Sequence, residues 1–342
     1  MRKILYMSLV FSIVFLSGCW DFEEAERMDY VHGIAVDYQD GKVLVTLQIV
    51  NLGNLGQAET GGGSGANENQ AAVARATSNT VNDAIFEIYK SAQRRLFWGH
   101  LTFIVVTEEG LKHGLLQEIL DLFDRYRETR YRILMFATED ENVDKIFEAT
   151  AIFDGSPVYT RLTDLNNAYL QNSFIHELSM RDFFIQINEP GYNAIIPAIT
   201  TTEKTWTSVE AIETMVESVG VALLDSEKRF LGFITGDDIN GLRWLIKDTI
   251  RSNIQAKNDN GEPIADGVVV EPKVRADDVI FNIEIKGKIV INEFIEDMEL
   301  DELKKKFQEQ IEKEVHHTYK KALEYQADIF RLSEVLYRKD VK

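Results

Sequence analysis

The sequence predicts an α+β protein: a mature chain of two to three mixed α/β domains, mostly antiparallel sheets with packed helices. Three observations carry this expectation. Alternating apolar runs flank a strong hairpin turn at Asp40-Gly41. Between residues 80 and 150, short apolar runs then alternate with stretches whose apolar residues keep helical spacing. At 342 residues the chain is also too long for one ordinary hydrophobic core.

The N-terminus reads as a lipoprotein signal peptide, residues 1–18. Arg2 and Lys3 form a short basic segment, and Ile4 to Leu16 is an apolar run broken only by Ser8, Ser12 and Tyr6. A spanning helix needs about 20 apolar residues, so this run is too short to cross a bilayer and has the size of a signal core. It ends in Leu16-Ser17-Gly18-Cys19, which resembles the lipobox of bacterial lipoproteins. Small Ser17 and Gly18 let extended backbone enter a protease cleft. Cleavage is expected after Gly18, with S-diacylglycerol and N-acyl groups on Cys19. Several acyl chains, at about 0.8 kcal/mol per buried methylene, make a stable anchor where one alone would be marginal.

Tyr30–Tyr38 and Lys42–Val50 read as the strands of the hairpin, with Val43, Val45, Leu47 and Ile49 on one face. Residues 53–69 are Gly-rich and read as a loop. A phosphate-cradling loop would end in Gly-Lys-Ser/Thr before a helix, whereas Ala66-Asn67 follows Gly65. Thr80 with Asp83 resembles a capping box opening a helix along Val81, Ala84, Ile85, Ile88, Tyr89 and Ala92. Leu101–Val106 is a strand. One helix is expected from Glu108-Glu109 through Leu111, Leu115, Leu116, Ile119, Leu120 and Phe123. Tyr131–Ala137 is the next strand, with Thr138 and Glu141 expected to cap the helix after it. Ser179 with Asp182 starts a further helix, Ala194–Thr200 is a strand interrupted by Pro197, and polar Thr200–Ser208 reads as a linker. These assignments place an N-terminal domain of two subdomains over 19–205 and a C-terminal α/β domain over 209–342.

The second half opens with a hairpin, Ser218–Leu224 and Phe230–Thr235, and a helix around Ile239–Ile246 capped by Asp237 or Asp238. Lys257–Gly267 reads as a polar loop. It is no calcium loop, because Asn260-Gly261 would put Ala256 at the first ligand position. Phe281, Ile283, Ile285, Ile289 and Ile291 alternate with polar residues, predicting a long half-buried strand. A long helix follows from Glu299, striped by Leu300, Leu303, Phe307, Ile311, Val315, Tyr319, Leu323 and Phe330. Glu302–Lys306 and Glu309–Lys313 have favourable i,i+4 spacing.

The chain holds 37 basic and 56 acidic residues. Cleavage removes Arg2 and Lys3, so 35 basic residues face 56 acidic ones and the mature net charge is −21. That excess argues against nucleic acid, or an anionic lipid surface, as a partner held by basic patches. Cys19 is the one cysteine, which excludes a disulfide and a cysteine metal site. None of the six histidines has zinc-hydrolase spacing, and no nucleophile elbow is present. No catalytic residue, metal or cofactor is expected. A paired-carboxylate hydrolase has no marked pair among so many acids. His100, in Phe97-Trp98-Gly99-His100 at a strand start, is the best candidate for a pocket residue, with a structural histidine as the alternative.

Cys19-Trp20-Asp21 with Glu24, followed by Gly33-Ile34-Ala35-Val36-Asp37, resembles the mature start of the Ger(x)C family, the C subunits of spore germinant receptors. Arg95-Leu96-Phe97-Trp98-Gly99-His100 before a strand, Gly220-Val221-Ala222 with Leu231-Gly232-Phe233, and Gly241-Leu242-Arg243-Trp244-Leu245 also look like the family's pattern. The resemblance covers nearly the whole chain. Ala25-Glu26 departs from the usual aliphatic-polar pair. Members usually continue past Tyr337-Arg338-Lys339 into a last strand, so the C-terminal domain reads as shortened at its end.

The resemblance implies a non-enzymatic lipoprotein of three mixed α/β domains on the outer face of the spore inner membrane. Its partners would be two integral membrane subunits, A and B, that respond to small nutrients. The family generally places the small-molecule site in those subunits, so no ligand-binding residue carries over. Two other classes share the anchor: the substrate-binding lipoprotein of an uptake system, which needs two similar lobes, and a lipid-anchored cell-wall hydrolase, which needs a catalytic constellation.

Overall fold

The computed structural model describes residues 28–50, 71–140, 142–149, 160–163, 165–189, 193–207, 212–246, 248–277, 282–295, 298–334 and 337. Cys19, the Gly-rich stretch 53–69 and Phe281 lie outside them. The described residues form an α+β protein with a large mixed sheet, a separate antiparallel sheet and seven α-helices.

The large sheet starts as the hairpin predicted around Asp40-Gly41. Strands β1 (Met28–Gln39) and β2 (Lys42–Val50) pair antiparallel, and the two turn residues have φ of 50° and 78°. Positive φ at both positions is the demand of a type I′ turn, and Asp-Gly meets it. Strand β3 (Ala71–Ser78) adds to β2. The sheet centre is parallel: β1 pairs with β4 (Arg95–Phe97) and β5 (Phe103–Thr107), and β5 continues through β6 (Leu134–Thr138) to β7 (Ile195–Thr202). Then β8 (Met215–Leu224) and β9 (Phe230–Thr235) return antiparallel. The order is β3-β2-β1-β5-β6-β7-β8-β9, with β4 beside the start of β1. The hairpin from the second half of the chain therefore extends the same sheet past the polar stretch after Thr202.

Pro197 sits inside β7, opposite Val221. Proline lacks a ladder donor, so it is tolerated where pairing is sparse. The parallel contact of β7 with β6 is limited to Ala137↔Ala198.

Both faces of the sheet are covered. On one, α1 (Val81–Tyr89), α3 (Leu115–Arg125) and α6 (Met180–Asn188) pack Ile85, Ile119 and Phe183 against Ile34, Val36, Leu47 and Ile104. On the other, α4 (Val143–Glu148) lays Ile146 and Phe147 on Ala35, Phe103 and Val105. A short α5 (Leu165–Gln171) comes between α4 and α6 in the chain. The N-caps of α1 and α6 are the predicted ones: Thr80 and Ser179 each accept from the N–H three residues on, both at 3.1 Å.

Several elements differ from expectation. The helix from Glu108 is two helices, α2 (Glu108–Lys112) and α3, because Gly114 takes φ of 74° and turns the chain. Thr138 does not cap α4. It is buried at the end of β6 opposite Thr107, and Asn142 caps instead, accepting from the Asp144 N–H at 3.1 Å. The helix expected at 239–246 is a pair of 3-10 turns, Gly236–Ile239 and Leu242–Trp244, without side-chain caps.

The second sheet contains β10 (Arg251–Lys257), β11 (Pro263–Asp277) and β12 (Asn282–Phe294), all antiparallel. The predicted loop 257–267 is thus a hairpin whose turn is only 258–262. Ile264 and Ala265 are strand residues buried in the core, and β10 buries Ser252, Ile254 and Ala256 on one face. In β12 the alternation holds, with Ile285, Ile289 and Ile291 packed inward.

Helix α7 (Leu300–Glu324) joins both sheets. Its first half packs Leu303 and Phe307 on the second sheet with Trp244, and its end packs Ala322 on Val221, Leu223 and Ile234 of the large sheet. Leu300 and Leu323 of the predicted stripe are exposed, while Thr318 and Ala322 are buried instead. Phe330 lies beyond the helix.

Candidate functional site

Among the described residues, clefts on the large sheet include two of similar volume. The first begins at a bulge. Ala198 pairs with Gly220 and Ile199 with Ser218, so Val219 is the extra residue. A bulge bends its strand and breaks the ladder locally. Here the cleft, about 450 Å³, is lined by Ala198–Thr200, Glu217–Val219, Glu139, Asp140, Phe174, Thr235 and Gly236.

Its chemistry is acidic. Asp140 accepts from the Thr200 hydroxyl at 3.0 Å and the Thr201 N–H at 3.2 Å, which holds its carboxylate in place. Burial raises the Glu139 pKa, with Glu108 and Asp140 adding like-charge repulsion. Ser218 Oγ is buried without a hydrogen-bond partner among the described residues. The cleft therefore offers acceptors and one orphaned hydroxyl, which suits a cationic or hydroxylated small molecule. Among the described residues no group of three His, Cys, Asp or Glu is arranged to hold a metal ion.

The second cleft lies where the sequence pointed, at Arg95–His100. Trp98, Gly99 and His100 form a 3-10 turn between β4 and β5. Trp98 is buried, and its indole N–H donates to the Tyr89 hydroxyl at 2.8 Å. The Trp98 backbone N–H reaches Glu128 at 3.2 Å, and Arg95 binds the same carboxylate at 2.5 Å. A Cβ at Gly99 would overlap the Phe97 ring, which would have to shift to make room. The cleft, about 440 Å³, is lined by Tyr89, Ala92, Arg94, Arg95, Leu96, Trp98, Tyr126, Arg127 and Glu128.

His100 itself is exposed and is not among the lining residues. Its ring stands edge-on to Tyr30 at 5.1 Å. Partial burial, then the Arg130 charge, lowers its pKa. It marks the corner rather than occupying the cleft. Tyr126, Arg127 and Glu128 come from a separate segment, and no local sequence signal joined them to Trp98.

The remaining histidines are structural or exposed. His32 is buried, its Nδ1 2.8 Å from Gln48 Oε1, and Gln48 donates to the Phe147 carbonyl at 2.7 Å. His113 stacks on Tyr38, and His317 contacts Asp238 at 2.5 Å. No helix among the described residues is long and apolar enough to cross a membrane.

Comparison with known proteins finds two family models along the chain. Residues 21–201 match the spore germination protein N-terminal domain, and residues 219–342 match the spore germination B3/GerAC-like C-terminal domain. Spore germination protein KC of Bacillus subtilis (strain 168) is 23% identical over 364 aligned positions, covering 99% of this chain and 88% of that protein. Spore germination protein B3 of the same organism is 23% identical, covering 98% and 90%. Among solved structures, the GerBC protein aligns over 91% of this chain and 88% of its own, with 15% identity and a TM-score of 0.46.

Proposed function

This chain belongs to the GerAC-like family of spore germination proteins, and from that premise we propose that it is the lipid-anchored, non-enzymatic subunit of a nutrient germinant receptor. It works beside two integral membrane subunits, A and B, on the outer face of the spore inner membrane. The observation that carries this reading is the placement of Leu16-Ser17-Gly18-Cys19 immediately before the family match that starts at residue 21. A lipobox there leaves the whole matched region outside the bilayer and tethered by acyl chains on Cys19.

Deletion of the gene tests the assignment. Germination in response to this receptor's nutrients should be lost while other receptors still respond, and the tagged protein should co-purify with both membrane subunits. A deletion strain that germinates normally, with no paralogue substituting, removes the reading.

The acidic cleft at Val219 gives one observation in favour of a second reading, the substrate-binding lipoprotein of an uptake system. Such a protein is stabilised by its ligand by RT ln(1 + L/Kd), where L is the free ligand concentration. A rise in melting temperature of the isolated mature chain with amino acids or sugars would favour it over the receptor subunit.

A further inference from the structure

The chain is strongly acidic, yet one end of its large sheet is rich in arginine. Arg94, Arg95 and Arg127 line the aromatic cleft, and Arg130 lies close enough to His100 to lower its pKa. All four are exposed. Two of the acids nearby are engaged: Glu128 by Arg95 and the Trp98 N–H, and Asp124 by the Tyr131 hydroxyl at 2.7 Å. Among the described residues neither Arg94 nor Arg127 forms an ion pair. Net charge does not decide what such a patch meets, because screening limits each charge to about 8 Å at physiological salt.

This end of the sheet is also where the chain enters it. Met28 pairs with Arg95, Asp29 with Leu96 and Tyr30 with Phe97. Cys19 precedes Met28 by nine residues, a reach of at most about 30 Å when fully extended. A chain fixed to a bilayer at Cys19 leaves these arginines able to reach the headgroups. Two exposed aromatics accompany them: Phe86, 53% exposed and edge-on to Tyr89 at 5.4 Å, and Tyr131, 50% exposed. Arginine forks match phosphate oxygens, and aromatic rings settle at the headgroup level.

We propose that this arginine–aromatic end is a docking surface for anionic phospholipid headgroups, which sets how the tethered protein stands on the membrane. The orientation rests on the lipid anchor proposed above, but the surface chemistry can be tested without it. The full mature chain carrying Cys19→Ala, which has no acyl group, is sedimented with vesicles of phosphatidylcholine alone or of equal phosphatidylcholine and phosphatidylglycerol. Binding is expected on the anionic vesicles only, and high salt should release it. Each arginine near an anionic surface contributes about fivefold, so Arg94→Ala with Arg127→Ala should weaken partitioning about twenty-fivefold. Lys304→Ala with Lys313→Ala, on the exposed side of α7, should leave it unchanged.

Equal binding to both vesicle types overturns the proposal, as does an equal loss in both double variants. An arginine variant that binds vesicles normally but no longer associates with subunits A and B would make this end a protein contact, which also overturns it. Failure of the anchor reading shows elsewhere, as release of the unmodified protein from membranes by salt alone.

Discussion

The Glu314 carboxylate of α7 accepts a hydrogen bond from the Trp244 indole N–H at 2.7 Å, and the same oxygen takes the Arg243 guanidinium at 3.0 Å. Gln310 donates to the other oxygen at 3.0 Å, and Arg243 lies over the Trp244 ring, 4.7 Å from its centroid. Both ionised side chains are about nine-tenths buried. Arg243-Trp244 belongs to the stretch that resembles the Ger(x)C family's pattern, and its structural task is to dock α7 onto the junction of the two sheets.

Removing one partner of a buried ion pair leaves the other uncompensated. Glu314→Ala is therefore expected to lower stability by roughly 3–5 kcal/mol, because Arg243 keeps its charge in the packed junction. Replacing the pair together, Arg243→Met with Glu314→Leu, should cost clearly less. Urea unfolding of the two variants and the parent compares them directly. A double variant as damaged as the single would show that the pair matters through packing rather than charge.

Gly241, two residues before Arg243, meets the same helix. A Cβ on it would overlap the Glu314 and Val315 backbone, and its N–H donates to the Thr318 hydroxyl at 2.9 Å. Gly241→Ala should cost about 1–3 kcal/mol through forced separation of the 3-10 turn from α7. The check is the melting temperature, set against Gly261→Ala in the β10–β11 turn. There the added methyl meets open space and only the φ of 86° opposes it.

His32 makes stability depend on pH. Burial lowers its pKa, outweighing the opposing hydrogen bond to Gln48, and the smaller His100 contribution acts in the lowering direction. As pH falls through the ordinary histidine value of 6.5, the unfolded chain takes a proton that the folded chain refuses. The unfolded state then binds more protons, so stability is lost on acidification below about 6.5 and is unaffected above it. The urea midpoint of the parent should drop between neutral and mildly acidic pH, and His32→Gln should flatten that slope. An identical slope in both would assign the pH response to other groups.

Cys19→Ala is expected to free the protein from membranes washed in high salt while leaving its far-ultraviolet circular dichroism unchanged. Fractionation after a high-salt wash, in cells lacking subunits A and B, separates the lipid tether from partner and headgroup contacts. Retention of the variant under those conditions would mean that lipid on Cys19 is not the anchor.

Local chemistry is legible in the amino-acid order itself. Asp40-Gly41 specifies its turn because that conformation needs two adjacent residues tolerant of positive φ, and neighbouring positions alone decide it. Thr80 and Ser179 announce their helices for the same reason, since a cap bonds three residues away. Alternation in β12 discloses its buried face, because side chains in a strand switch sides at every residue. The motif around Trp98 marks a cleft, though not which of its residues line it.

Only the tertiary structure decided which elements meet. The parallel run β1-β5-β6-β7 and the addition of β8 and β9 to the same sheet depend on partners far apart in sequence, which local periodicity does not name. Thr138 has a capping pattern but is claimed by the ladder with Thr107. Lys306 has Glu302 four residues before it, yet its ammonium reaches Asp259 in the β10–β11 turn at 2.6 Å. Arg94 and Arg127 became one surface because packing brought the segment from Arg125 to Arg130 beside β4. Propensities and caps act over a few residues, whereas sheet order, clefts and charge patches follow from which apolar faces bury one another.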